Sequence, residues 1–119
     1  MKIYISGPIT GHPPEKVKQS FAAAAEAIRE KGHEPVNPCL LQTILNPDTT
    51  TWNEYMVVAL SLLDVSDAIC MLPGWKSSAG ATFEHQDALN DRKRIFYTLA
   101  EVPQADPQPE ETEAANAEQ

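Results

Sequence analysis

The chain has 119 residues, 42% of them hydrophobic, and a formal net charge of −8. That length fits one domain with one modest core. No apolar run approaches the roughly 18–20 residues of a membrane span, and no cluster of Lys and Arg gives the basic footprint of a nucleic-acid binder. The charge is uneven: residues 101–119 hold six acids and no base, which leaves nine bases against eleven acids in the rest.

Lys2–Ser6 alternates, with Ile3 and Ile5 on one face, and reads as the first strand. The strand pattern starts at once, with no signal peptide ahead of it, and Cys39 and Cys70 lack metal-ligand spacing. The expectation is a cytoplasmic protein with two reduced thiols and no metal or cofactor. Gly7-Pro-Ile-Thr-Gly11 breaks the strand. Pro14–Lys31 has an apolar face at Val17, Phe21, Ala24, Ala25 and Ile28, which predicts the first helix, with Gly32 as its stop. Glu34–Asn37 is a short second strand that Pro35 places at an edge. Residues 38–51 read as loop with a helical turn near Leu40–Leu45. Trp52–Val65 reads as the second helix, anchored by Trp52, with Met56, Leu60 and Leu63 facing the core. Thr51 and Glu54 have capping-box spacing ahead of it. Asp67–Leu72 is the third strand, Ala81–Asn90 the third helix and Arg94–Thr98 the fourth strand.

Strands alternating with helices predict an α/β domain over residues 1–100: a small doubly wound, flavodoxin-like parallel sheet of four to five strands with flanking helices. Residues 101–119, acidic and rich in Pro, Gln and Ala, read as a disordered tail. Ligands of doubly wound folds sit beyond the carboxyl ends of the strands, where the strand order switches. That end carries the Gly7–Gly11 and Pro73–Gly80 loops.

The second of these loops holds the most informative stretch, Leu72-Pro-Gly-Trp-Lys-Ser-Ser-Ala-Gly-Ala-Thr-Phe-Glu84. A Gly- and Ser-rich strand-to-helix turn presents free backbone N–H groups to an anion or to sugar hydroxyls. Ser77, Ser78 and Gly80 are candidate ligand contacts, and a serine serving only as a helix cap accounts for the spacing equally well. Glu84, read in the first turn of the helix, is either a carboxylate favoured by the helix dipole or a nucleophile aimed into the crevice. Gly7 permits close backbone approach, and Pro8, Thr10 and His12 of the same loop are candidate ligand contacts. Trp75 either stacks on a base or plugs a lid. Asn53 lies near the crevice by topology. Tyr4 alternates onto one sheet face and reads as core.

Ile3-Tyr-Ile-Ser-Gly-Pro-Ile-Thr-Gly11, Gly32-His-Glu-Pro-Val-Asn-Pro38, Trp52-Asn-Glu-Tyr-Met56, Asp67-Ala-Ile-Cys-Met-Leu-Pro-Gly-Trp75 and Ser78-Ala-Gly-Ala-Thr-Phe-Glu84 occur in order over residues 1–98. Together they resemble an uncharacterised bacterial and phage domain family of the DUF4406 type. That family is similar to the nucleoside 2-deoxyribosyltransferases and the 2′-deoxynucleoside 5′-phosphate N-hydrolases. The resemblance implies that Glu84 attacks the anomeric carbon of a nucleoside or nucleoside 5′-monophosphate, forming a covalent sugar ester that water or another base resolves. It implies that Ser78 meets a 5′-phosphate and that Tyr4 and Gly7 belong to the site. It also implies a homo-oligomer. The chain departs from the hydrolase pattern at Pro8 and Thr10, where serine and arginine are usual. A bidentate phosphate contact is thereby lost. The expected function is N-glycosidic bond cleavage or transfer. The alternatives are a non-catalytic nucleotide-binding or sensing module and an adaptor acting through the acidic tail.

Overall fold

A computed structural model describes residues 1–106. Four strands, β1 (Lys2–Ser6), β2 (Glu34–Val36), β3 (Ala68–Met71) and β4 (Arg94–Phe96), form one sheet in the order β2-β1-β3-β4. Every pairing is parallel. The helices are α1 (Pro14–Glu30), α2 (Trp52–Asp64) and α3 (Ala79–Asn90). This is the expected doubly wound order, with four strands.

Alternation along the two central strands divides the core. Ile3, Ile5, Ala68 and Cys70 point to one face, where Phe21 and Ile28 of α1 cover them. Tyr4, Ile69 and Met71 point to the other, under Ala59 and Leu63 of α2 and Ala81 and Ala88 of α3. The period of two in the strands and of 3.6 in the helices thus yields three layers and two apolar seams. Both cysteines are free thiols. No helix among the described residues is long and apolar enough to cross a membrane.

Local chemistry moves some boundaries. β2 stops at Val36 because the Asn37 side chain accepts from the Cys39 N–H (3.0 Å) and starts a 3-10 turn over Pro38–Thr43. Pro35 lies in that edge strand, where a missing N–H breaks no interior ladder. α3 starts at Ala79, two residues earlier than expected, because the Ser78 hydroxyl caps it. Of the α2 residues expected in the core, Leu63 is fully buried, while Met56 and Leu60 are half-buried.

The tail expected from residue 101 begins instead with a docked segment. Val102 is 2% exposed and packs on the α1 side of the sheet. The Lys31 ammonium donates to the Leu99 and Val102 carbonyls (2.7 and 2.9 Å). His33 Nε2 donates to the Pro103 carbonyl (2.7 Å), and the Ala105 N–H to the Lys31 carbonyl (2.8 Å). One apolar side chain and four satisfied carbonyls outweigh the polar composition there. The rest of the expected tail, residues 107–119, lies outside the described residues.

The capping box that starts α2 is complete. The Thr51 hydroxyl accepts from the Glu54 N–H (3.1 Å), and the Glu54 carboxylate accepts from the Thr51 N–H (2.8 Å). Thr51→Ala is expected to cost about 1 kcal/mol, read as a lower urea midpoint with an unchanged slope.

Candidate active site

The chain turns opposite ways after β1 and β3, so a crevice opens where their carboxyl ends diverge. The loops leaving these strands pack tightly. A Cβ added at Gly7 would lie 2.9 Å from the Leu72 Cβ, so only glycine fits there. Gly74 turns with φ +86°, a conformation open chiefly to glycine, and an added Cβ would lie 3.3 Å from Pro8.

Within the crevice is a cavity of about 500 Å³. Its lining includes Tyr4 and Glu84, and Thr10 and His12 of the β1–α1 loop. Gln42, Trp52, Tyr55 and Met56 supply another wall, and Ser77, Ser78 and Gly80 belong to the turn that opens α3.

Glu84 is 7% exposed, and both of its oxygens are held by hydroxyls of β1. The Tyr4 hydroxyl donates to Oε2 (2.7 Å) and the Ser6 hydroxyl to Oε1 (2.6 Å). Residues two apart on a strand share a face, which is how one short strand supplies both donors. Glu84 is the sixth residue of α3, beyond its first turn, so a helix-dipole role no longer accounts for it. It lies with Ala81 and Ala88 on the buried stripe of α3, where an apolar side chain is the usual occupant. Burial pushes its carboxyl above the ordinary range, the Ser6 and Tyr4 hydrogen bonds pull it back, and Asp87 adds a smaller push upward. Burial, then the charge of Glu84, hold the Tyr4 hydroxyl well above the usual tyrosine range, so it remains a proton donor.

Of the residues singled out in the sequence, Glu84, Tyr4, Gly7, Thr10, Ser77, Ser78 and Gly80 line the cavity. Tyr4 is both core and lining. Ser78 caps α3, accepting from the Ala81 N–H (3.2 Å), and Ser77 donates to the Gly74 carbonyl (2.9 Å). Three expected contacts are not brought to the cavity. Pro8 packs against Gly74 instead. Asn53 is exposed on α2, while its neighbours Trp52, Tyr55 and Met56 take the inner face. Trp75 turns away from the cavity and packs, half-buried, against the core under α2 and α3, its ring 4.4 Å from that of His85 and 6.2 Å from that of Tyr97.

Ser6 was not among the expected site residues, and its polar side chain in phase with Tyr4 was the available signal. Trp52 was expected to anchor its helix, but it is 45% exposed in the cavity wall. Tyr55 also lines the cavity, and its buried hydroxyl has no partner among the described residues. The carboxylates of Asp64, Asp87 and Asp91 lie within 4.8 Å of one another and could hold a cation. They occupy the C-terminal ends of α2 and α3, at the pole away from the cavity.

Residues 1–97 match the family described as "Domain of unknown function (DUF4406)". No curated protein matches the chain significantly. Among solved structures, the 2-desoxiribosyltransferase from Leishmania mexicana is similar, with a TM-score of 0.59 at 19% identity. The match covers 79% of this chain and 61% of that one. The likeness is one of fold, and this chain spans about three fifths of its neighbour's length.

Two outcomes follow from the carboxylate's surroundings. Ser6→Ala removes a hydrogen bond that favours the charged form, so the Glu84 titration midpoint is expected to rise further, read by carbon NMR of the side-chain carboxyl. An acid whose midpoint is raised by folding loses stabilisation as pH rises through that midpoint. The difference in melting temperature between Glu84→Gln and the parent protein is therefore expected to move in favour of Glu84→Gln between pH 4 and pH 8; a difference independent of pH would contradict it.

Proposed function

This chain belongs to the DUF4406 family, and on that premise we propose that it cleaves or transfers the N-glycosidic bond of a nucleoside or nucleoside 5′-monophosphate, with Glu84 as the nucleophile. The observation that carries this reading is a buried carboxylate, gripped by two hydroxyls, lining a cavity of nucleoside size. A carboxylate so held loses little freedom on reaching its attacking geometry. The fold shared with a protein named as a desoxiribosyltransferase supports the same chemistry.

In this mechanism a Glu84 oxygen bonds the anomeric carbon as the bond to the base breaks, through an oxocarbenium-like transition state. The Tyr4 and Ser6 hydroxyls keep the carboxylate aimed, and they stabilise it again when it leaves the sugar ester in the second step. Water or an incoming base resolves that ester. The Ala79 and Gly80 N–H groups at the start of α3 face oxygens of the sugar or of a 5′-phosphate. The Ser78 hydroxyl accepts from the helix and keeps its own proton free to donate.

A second reading, a non-catalytic nucleotide-binding module, is favoured by one observation. Glu84 is the single Asp or Glu among the described residues of the lining, so no second carboxyl group is there to protonate a departing base, which would depend on His12 or solvent. Chromatography of free base released from a panel of nucleosides and 5′-monophosphates separates the two. Release by the parent protein, reduced more than about a thousand-fold in Glu84→Gln, supports the enzyme. A ligand-dependent rise in melting temperature without base release supports the binding module.

A further inference from the structure

The ionisable groups around the cavity are one-sided. Among the described residues of the lining there is one carboxylate and no Lys or Arg. Three lysines elsewhere in the fold are engaged away from it. Lys76 lies over the Trp75 ring, 5.8 Å from its centroid. Lys31 holds the segment after β4, and Lys93 donates to the Asp64 and Ser66 carbonyls. Among the described residues, Glu84 therefore faces the cavity with hydroxyl partners only, and no ion pair offsets its charge.

We propose that the preferred substrate is an unphosphorylated nucleoside whose base is a cationic heteroaromatic ring, of the pyridinium or N7-alkylpurinium class. This deepens the glycosidic reading above and rests on it. Three features converge. A carboxylate in a low-dielectric cavity attracts a cation and repels a phosphate dianion. Trp52 and Tyr55 give the wall two aromatic rings, surfaces on which a flat cation binds better than a neutral ring of the same shape. The third feature is that Glu84 is the single carboxyl group among the described residues of the lining. A neutral base would draw its proton from His12 or from solvent as it departs, whereas a cationic base needs none.

The electron count follows this logic. Glu84 oxygen bonds the anomeric carbon while the carbon–nitrogen bond breaks. The bonding pair goes to the ring nitrogen and cancels the positive charge, so the base leaves neutral and no proton moves. Water then adds to the anomeric carbon, the ester carbon–oxygen bond breaks, the carboxylate is restored, and one proton passes to solvent. Two groups oppose the preference, and both are weaker than Glu84. His12 is exposed on the loop before α1. The α1 and α3 amino ends carry about half a charge each, suited to the oxygens of a neutral sugar.

The test pairs guanosine with N7-methylguanosine at pH 6, adds nicotinamide riboside and the matching 5′-monophosphates, and supplies both ribo and 2′-deoxy forms, with spontaneous hydrolysis subtracted. Binding is measured by calorimetry with the carbocyclic analogues of the guanosine pair, whose bond to the base holds. The expected result is base release from the cations, binding of the cationic analogue at least about tenfold tighter than the neutral one, and loss of that preference in Glu84→Gln. Equal binding of the pair, or a preference that survives Glu84→Gln, overturns this inference. Base release from guanosine in that case leaves the glycosidic reading standing. No release from any member of the panel by folded protein overturns both.

Discussion

A carboxylate without a cationic partner is costly to place inside a protein, and the arrangement around Glu84 is built to meet that cost. Two hydroxyls supply the hydrogen bonds that water would have given. This requirement reaches well beyond the three residues. β1 must be a central strand, so that Tyr4 and Ser6 are sealed from solvent. Their phase must be opposite to that of Ile3 and Ile5, which the α1 side claims. α3 must cross the carboxyl half of β1 with its small residues, Ala81 and Ala88, flanking Glu84 so that the helix can approach closely.

The sheet order then turns this buried group into a site. Because β1 and β3 are neighbours whose connections leave in opposite directions, no strand-crossing element closes the space above their ends. Gly7 brings the first loop against Leu72, and Gly74 folds the second back onto Pro8, so the loops brace each other beside the opening. The segment between β2 and α2 supplies the remaining wall through Leu41 and Gln42, and α2 adds Trp52, Tyr55 and Met56.

The fold was legible because its signals are strong and local: alternation in β1, one apolar stripe on α1, and glycines at the turns. Glu84 was legible from its position after a Gly- and Ser-rich turn. Its partners were half legible. Tyr4 reads as core from its alternation, which is true of its ring and silent about its hydroxyl, and only the resemblance places it in the site. Ser6 was passed over although a polar side chain in phase with Tyr4 on a central strand must find a partner. The helical turn near Leu40–Leu45 and the start of α2 were legible, but not that they wall a cavity, since a short 3-10 turn and an irregular loop have no period to show which side faces inward. Trp75 misled for a physical reason: after the left-handed turn at Gly74 the indole lies away from the cavity, against the core and His85. At the other end, acidic composition masked the one residue, Val102, that fastens its segment to the core.

That fastening also sets the direction in which the chain leaves the fold. Ala105 is pinned to Lys31, at the turn that precedes β2, and so at the amino ends of the strands. The cavity opens at the carboxyl ends, about a strand length away and beyond the Debye length of roughly 8 Å at physiological salt. Whatever is joined after residue 106, whether the native acidic residues or an added tag or surface tether, starts from the far pole. A protein immobilised through that end would be held at the pole opposite its cavity.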